Sequence, residues 1–325
     1  MNLKQIAKIT GYSTSTVSKV FSDNSEISEE TKNFIINTAK KLGVYDKYNK
    51  QKYDKKVIAL IVPELESDFY GQFVVSLNKL ISSKNYTMTV SITNFSANVE
   101  SDLISFYSTN GRADGIIVVD AKTKSKKYSS TPIVFINGET SNQEYADTVD
   151  TNFYPGILDA IRCFKENGHV KIAFIGENLA KDKYQCFVKA MKQCNLQVDP
   201  NLVYVDKARF EEAGYLGIKK LFESGNVPTA ILSAYDYIAL GIIHYLEENQ
   251  LSVPEDVSIV GIDDIQFASY HKISLSSIKV NIHYICEISL AILSKKINNP
   301  MYKVVQSVKV KSEFVNRNTI KKLNN

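Results

Sequence analysis

Residues 3–21 read LKQIAKITGYSTSTVSKVF, and this stretch decides the fold of the N-terminal region. Leu3, Ile6 and Ala7 have the i, i+3, i+4 spacing of one buried helical stripe. Gly11 follows, and a glycine can leave a helix at positive φ without steric cost. The spacing therefore predicts a short first helix that ends at Gly11.

A second short helix is predicted after Ser13, which is placed to cap it. Its inward positions are apolar: Val17, Val20 and Phe21. Its outer face carries short polar side chains and one lysine: Thr14, Ser15, Ser18 and Lys19. Small hydroxyls near the N-terminus of a helix, with a lysine one turn later, can enter the major groove of DNA without steric conflict. The pattern is that of a recognition helix.

A third helix should begin after Ser28, because Glu29 and Glu30 place negative charge in its first turn and Gly43 follows its end. Its apolar stripe is predicted to be Phe34, Ile35, Ala39 and Leu42. Three short helices around one small core form a helix-turn-helix head. The alternative is an ordinary helical hairpin at the edge of a larger fold. DNA binding is favoured over it because spacing, caps and charge agree.

Positive charge is concentrated in this head. Residues 1–56 contain 11 Lys, no Arg and 6 acidic residues, a net charge of +5, whereas the remaining residues carry −1. Local positive charge attracts phosphates, and the near-neutral remainder has no such preference. The distribution predicts two functions on one chain.

The rest of the 325-residue chain is long enough for a large core, with 44% hydrophobic residues overall. The N-terminus has no apolar signal region and no run of 18 apolar residues occurs, so we expect a cytoplasmic protein without membrane insertion. The four cysteines lie far apart without metal-type spacing and are expected to be free thiols: Cys163, Cys186, Cys194 and Cys286.

From Val57 onward, short β-branched apolar runs alternate with longer amphipathic stretches, which predicts βαβ units and parallel sheets. The predicted strands are 57–62, 86–92, 115–119, 133–136, 170–175, 229–233 and 257–262. The predicted helices are 69–84, 99–110, 156–167, 183–194, 211–224 and 237–249. We therefore expect an α/β chain with three parts: a head (1–45), a basic linker (46–56) and a body (57–325). The body should have two Rossmann-like halves, with crossings near 150–155 and 280–283.

Ligands of such sheets bind outside the carboxyl ends of the strands, so the loops there should line a common cleft. These loops begin at Pro63, Asn94, Asp120, Asn137, Asp150, Gly176, Ala234 and Asp263. Enzyme signatures are missing: the sequence has no GxGxxG after a strand, no GxxxxGK[ST], no GxSxG and no HExxH. His169 and His244 are interpreted as structural or surface residues. An enzyme is therefore not expected, and no metal or cofactor is predicted.

The chain resembles the lactose/galactose repressor (LacI/GalR) family of bacterial transcription regulators over essentially its whole length. In the head, the resemblance is carried by LKQIA (3–7), GYS (11–13), TVSKV (16–20), IS (27–28) and LG (42–43). In the body, it is carried by GHVKIAFIG (168–176), AYDYIALG (234–241), VPEDVSIVGIDD (253–264), LSSI (275–278) and RNT (317–319). Within the family, the chain looks most like repressors of β-galactosidase operons.

The resemblance implies a homodimer that binds a palindromic operator and a body that binds a small effector. Thr14, Ser15 and Lys19 fall where the family reads base edges, and Thr16 and Ser18 fall where it holds phosphates. The further implied DNA contacts are Asn24, Tyr48 and Lys50. Because the head has no arginine, the arginine-to-guanine fork is excluded, and Lys19 is the only long donor on the recognition helix.

The resemblance also implies effector contacts, in this chain Phe69, Tyr70, Lys183, Arg209, Phe210, Tyr235 and Asp263. Asp263 occupies the family's sugar-hydroxyl acceptor position, and an ionised carboxylate can accept two hydroxyl hydrogens at once. The alternative for Asp263 is a cap for the next turn, and for the aromatic residues it is core packing. Lys183 stands where the family usually has an arginine, and Tyr235 where asparagine is common.

The linker departs from the family, whose hinge helix usually wedges a leucine into the minor groove. Residues 45–56 (YDKYNKQKYDKK) contain no aliphatic residue and no proline. A solvated basic tether is favoured over intercalation by Tyr48 or Tyr53.

These features predict an effector-controlled repressor of a carbohydrate-utilisation operon, with a sugar such as a galactoside as the effector. A periplasmic-type sugar-binding protein would share the body but would need an export signal in place of the head. A Rossmann-like enzyme would need a nucleotide loop or an acid/base constellation. A regulator within the family that answers to a non-sugar effector, such as a purine, stays open.

Overall fold

The computed structural model of the chain describes residues 2–21, 27–45, 55–109, 112–123, 131–138, 146–266 and 274–323. The chain divides into two compact units, Met1–Lys55 and Lys56–Asn325, here called the head and the body. The head contains the helices α1 (Leu3–Thr10), α2 (Thr14–Phe21) and α3 (Glu29–Lys41).

The helices of the head begin and end at residues suited to those positions. Asn2 and Gln5 form a capping box on α1, in which each side chain accepts from the other residue's backbone N–H, at 3.0 and 2.8 Å. Gly11 ends α1 at φ +76°. Ser13 Oγ accepts from the backbone N–H of Thr16 at 3.0 Å and so caps α2. The predicted turn is therefore present, and the capping box is a readable signal that the prediction missed.

A small apolar core holds the three helices together. Ile6, Val17 and Ile35 are fully buried, and Val20 and Ala39 are also buried. The prediction that α3 buries Phe34 is wrong. Phe34 is 52% exposed and meets the ring of Tyr12 edge-on, because the buried stripe of α3 runs through Ile35 and Ala39, one turn apart.

The body alternates strands and helices along the chain. Its strands are β1 (Val57–Val62), β2 (Thr87–Ile92), β3 (Gly115–Val119), β4 (Ile133–Ile136), β5 (Asp147–Asn152), β6 (Ile172–Glu177), β7 (Val203–Asp206), β8 (Ala230–Ser233), β9 (Ser258–Asp263), β10 (Ser276–Lys279), β11 (Ser307–Lys311) and β12 (Glu313–Val315). Its α-helices are α4 (Asp68–Ser83), α5 (Ala97–Ser108), α6 (Tyr154–Glu166), α7 (Lys181–Gln193), α8 (Phe210–Glu223), α9 (Asp236–Glu248) and α10 (Ile282–Asn298).

The strands form two six-stranded sheets. The first has the order β11-β5-β4-β3-β1-β2, and all its pairs are parallel. The second has the order β12-β10-β9-β8-β6-β7, parallel except for β12, which runs antiparallel to β10. Helices cover the central strands, so β3, β4, β6, β8 and β9 are buried along their length. Continuous apolar runs, the signal used for prediction, are what such strands require.

The chain passes between the two sheets three times. It leaves the first sheet after β5, returns after β10 through α10, and crosses again at Ser312 between β11 and β12. The sequence analysis expected crossings near 150–155 and 280–283 and did not anticipate the one at Ser312. At this third crossing, Ser312 Oγ donates to the carbonyl of Phe153 and accepts from the backbone N–H of Gly156.

Five strands and one helix were not predicted. The strands β5, β10 and β11 are rich in Asp, Thr, Ser and Lys, so they lack the apolar runs used to find the others. Their polar groups pair with each other instead: Thr148 Oγ1 donates to Ser307 Oγ at 3.0 Å, and Asp147 Oδ1 accepts from the backbone N–H of Gln306. The helix α10 did have a readable helical spacing, in its buried residues Ile282, Ile285, Cys286, Ser289 and Leu293.

Candidate functional site

The outer face of α2 presents the predicted DNA-contacting side chains. Thr14, Ser15 and Ser18 are exposed, and Lys19 is half-buried in the last turn. Thr16 is also half-buried, and its hydroxyl lies 2.8 Å from Ser13 Oγ, so it takes part in the cap of α2. The other predicted contacts, Asn24, Tyr48 and Lys50, lie outside the described residues, as does most of the linker.

A cleft of about 750 Å³ in the body collects residues from the carboxyl ends of both sheets. All seven residues predicted to contact an effector line it: Phe69, Tyr70, Lys183, Arg209, Phe210, Tyr235 and Asp263. The cleft also takes in residues that the prediction did not assign to the effector: Glu64, Asp120, Lys122, Asn137, Asp150 and Phe153. Asp120, Asn137 and Asp150 begin loops that were expected at this edge, so strand position was the signal that could have found them.

Lys183 and Asp263 form a buried ion pair in the wall of the cleft. Lys183, in the first turn of α7, donates to Asp263 Oδ1 at 3.1 Å and to the carbonyl of Ala234 at 3.1 Å. Its ammonium group also lies 4.0 Å from the ring centre of Tyr235. Both charged side chains are about 95% buried. Asp263 therefore has a lysine partner within the protein, which the sequence did not indicate.

Arg209 spans the cleft between the two sheets. Its two terminal nitrogens donate to the carboxylate of Glu64, which follows β1, at 2.8 and 3.2 Å. Its Nε donates to Glu177, at the end of β6 in the other sheet, at 3.4 Å. The guanidinium also lies 4.3 Å from the ring centre of Phe210. Arg209 thus neutralises two buried carboxylates, one from each half of the body.

Several cleft residues have unusual backbone conformations. Asp120, Asn137 and Phe210 have φ near +50°, and Asp263 has φ +110°. Aspartate and asparagine tolerate the left-handed region, but a phenylalanine there costs about 1–3 kcal/mol. Because such strain gathers at functional sites, these conformations mark the cleft independently of its volume.

Asp120 accepts a hydrogen bond of 2.5 Å from the hydroxyl of Tyr70. Burial raises the pKa of Asp120 to about 6, against the opposing effect of the Tyr70 hydrogen bond. Burial likewise raises the pKa of Asp263 to about 6, with Lys183 opposing it. These carboxyl groups bind a proton more tightly in the folded protein than in the unfolded chain, where aspartate titrates near pH ~4. The stability that they contribute is therefore complete below about pH 4 and is lost as the pH rises through about 6.

We expect Asp120→Asn to gain stability relative to the wild type by about 1 kcal/mol between pH 5 and pH 7, because asparagine removes this proton linkage. Urea unfolding of both proteins at pH 5, 6 and 7 measures the difference. Asp199→Asn, a change at an exposed aspartate outside the cleft, is the matched control and should show no such trend. A stability difference that stays constant with pH would contradict the assigned titration.

Among the residues that the structure describes, no helix has the length and apolar character needed to span a bilayer. The same residues contain no group of three or more His, Cys, Asp or Glu placed to hold a metal ion. The four cysteines are free thiols, of which Cys194 and Cys286 are buried and Cys163 and Cys186 half-buried.

Two regions of the chain match known protein families. Residues 2–45 match the family described as "Bacterial regulatory proteins, lacI family". Residues 161–320 match the "Periplasmic binding protein-like domain". A helix-turn-helix head with such a body defines the class of DNA-binding transcription regulators. Together the matches cover more than half of the chain, which belongs to the LacI family of transcriptional regulators.

Similar proteins extend over the full length of the chain. The "HTH-type transcriptional repressor PurR" of Mannheimia succiniciproducens is 25% identical, covering 99% of this chain and 99% of that protein. A crystal structure of the lac repressor dimer bound to operator and the anti-inducer ONPF has a TM-score of 0.72 and 19% identity, covering 99% of each chain. A structure of the transcriptional regulator CelR in complex with cellobiose has a TM-score of 0.70 and 19% identity, covering 98% of this chain and 99% of that one.

These comparisons correct one expectation. The curated relatives are PurR repressors, so the narrower resemblance to repressors of β-galactosidase operons is not supported. The two-sheet fold with an N-terminal helix-turn-helix head is confirmed by the matching structures.

Proposed function

We propose that this chain is a repressor that binds a palindromic operator as a homodimer and responds to a small molecule bound in the cleft of its body. The observation that carries the proposal is that all seven predicted effector contacts line one cleft. The head supports the DNA-binding part, because its exposed hydroxyls and lysine-rich composition suit a major groove and its flanking phosphates.

We propose a sugar as the effector class. Buried carboxylates in the cleft accept hydroxyl hydrogens, and the rings of Phe69, Phe210 and Tyr235 offer apolar faces for the ring carbons of a sugar. The structure of CelR with cellobiose shows the same fold in a protein that binds a sugar. A galactoside is one candidate within this class.

A purine base is the second candidate, because the relatives that align along the whole chain carry the name PurR. A purine has two flat faces that stack on aromatic rings and ring N–H groups that donate to carboxylates. The same cleft residues therefore suit both classes, and binding decides between them.

The test is calorimetric titration of the full chain with galactose, cellobiose, ribose, adenine and guanine. Each titration is followed by binding to its own promoter DNA with and without the compound. We expect one class to bind in the cleft and to change the affinity for DNA. Phe210→Ala should weaken that binding at least about 10-fold, since ring stacking is lost. Binding unchanged by Phe210→Ala, or no effect of any compound on DNA affinity, would contradict the proposal.

A further inference from the structure

Both inward-facing cations of the cleft are already bound to carboxylates of the protein. Of the five basic residues that line the described part of the cleft, Lys122, Lys181 and Lys309 are exposed, and only Lys183 and Arg209 are not. Lys183 is paired with Asp263, and Arg209 is paired with Glu64 and Glu177. A ligand in the cleft therefore meets paired cations on the inner wall.

The inner wall carries more carboxylates than cations. Glu64, Glu177 and Asp263 are each at least nine-tenths buried, and they face the two cations. Asp150 adds a fourth buried carboxylate, and among the described residues neither of its oxygens has a hydrogen-bond partner. A phosphate or carboxylate on a ligand would be repelled here and would find no unpaired donor of the kind that anion sites use.

We infer that the cleft excludes anionic ligands and selects an uncharged effector rich in O–H or N–H donors. Glu64 and Glu177 are the specificity-determining residues, because they hold the one guanidinium of the cleft. The inference rests on the proposal that the cleft is the effector site. It separates a free sugar or a purine base, which the site accepts, from a phosphorylated sugar or a nucleotide, which it rejects.

The geometry makes this selection reversible by two isosteric substitutions. Glutamine in place of Glu64 and Glu177 keeps the size of each side chain and an oxygen that accepts from Arg209. It removes both negative charges. Arg209 is about one-third exposed, so its fork then becomes available to a phosphate.

The experiment compares the full-length wild type with the double variant Glu64→Gln/Glu177→Gln. Calorimetry uses inorganic phosphate, galactose 6-phosphate and the neutral compounds named above. The double variant is expected to bind galactose 6-phosphate about 10–100-fold more tightly than the wild type, the effect of one added charge-assisted hydrogen-bonded pair. Adding Arg209→Gln to the double variant should abolish the gain. Glu247→Gln, which removes an exposed carboxylate of α9, should produce none.

Three results separate the possibilities. If the double variant gains no affinity for the phosphorylated sugar while retaining the wild-type circular dichroism spectrum, the inference is overturned. The same holds if the wild type binds galactose 6-phosphate more tightly than galactose. If no neutral compound binds the wild type but the double variant gains anion binding through Arg209, the inference stands and the proposed sugar or purine effector fails.

Discussion

Replacing Lys183 with methionine is expected to destabilise the body by about 3–5 kcal/mol at pH 8, because Asp263 is then a buried carboxylate without its cation. Methionine fills most of the volume of the lysine stem, so little of this loss should come from packing. The loss should shrink at pH 5. Burial already raises the pKa of Asp263 to about 6, and removal of Lys183 raises it further, so the carboxyl is protonated at pH 5. Urea unfolding at both pH values measures the effect.

The double variant Lys183→Met/Asp263→Asn is the control for this prediction. It removes both charges together, so we expect most of the lost stability to return. A loss that is equal at pH 5 and pH 8, or that persists in the double variant, would show that Lys183 acts through packing and its bond to the Ala234 carbonyl. The charge pair would then not be the stabilising element.

Replacing Lys19 with alanine is expected to reduce the preference for operator over random DNA by about 10–100-fold, the range of one specific base contact. Lys19 lies in the last turn of α2, and no other long donor side chain occurs on that helix. The head has no arginine, so no guanidinium can replace it. Fluorescence anisotropy with operator and random duplexes at a fixed salt concentration measures both affinities.

Lys41→Ala provides the matched control, because it removes the same charge from the head but lies at the end of α3. We expect it to weaken binding to both duplexes alike or not at all, as a general electrostatic effect would. If Lys19→Ala also weakens both duplexes equally, Lys19 contributes only charge and the predicted base contact is wrong.

Much of the fold could be predicted because its strongest signals are local. The strand β3 is an unbroken apolar run, GIIVV, and a buried central strand of a parallel sheet requires one. Gly11 and Ser13 likewise announce the turn between α1 and α2 by their own conformational preferences. The strand β5 could not be found in this way, because its Asp and Thr side chains bond to β11, more than 150 residues later in the chain.

The residues of the cleft were predictable from strand ends and family resemblance, but their pairings were not. Nothing near Arg209 in the sequence indicates that its guanidinium binds Glu64, 145 residues earlier. Asp263 was predicted as an acceptor for effector hydroxyls, and the structure gives it a lysine partner from α7 as well. That these residues bind an effector remains a prediction.

The sequence by itself determined the order of helices and strands, the charge of the head and the residues that gather at the cleft. Each depends on preferences that a residue shares with its near neighbours. The tertiary structure alone decided which charges neutralise each other, and with them which ligands the cleft accepts. The physical reason is that a buried charge is stabilised only by a partner within a few ångströms, and folding brings that partner from distant parts of the chain.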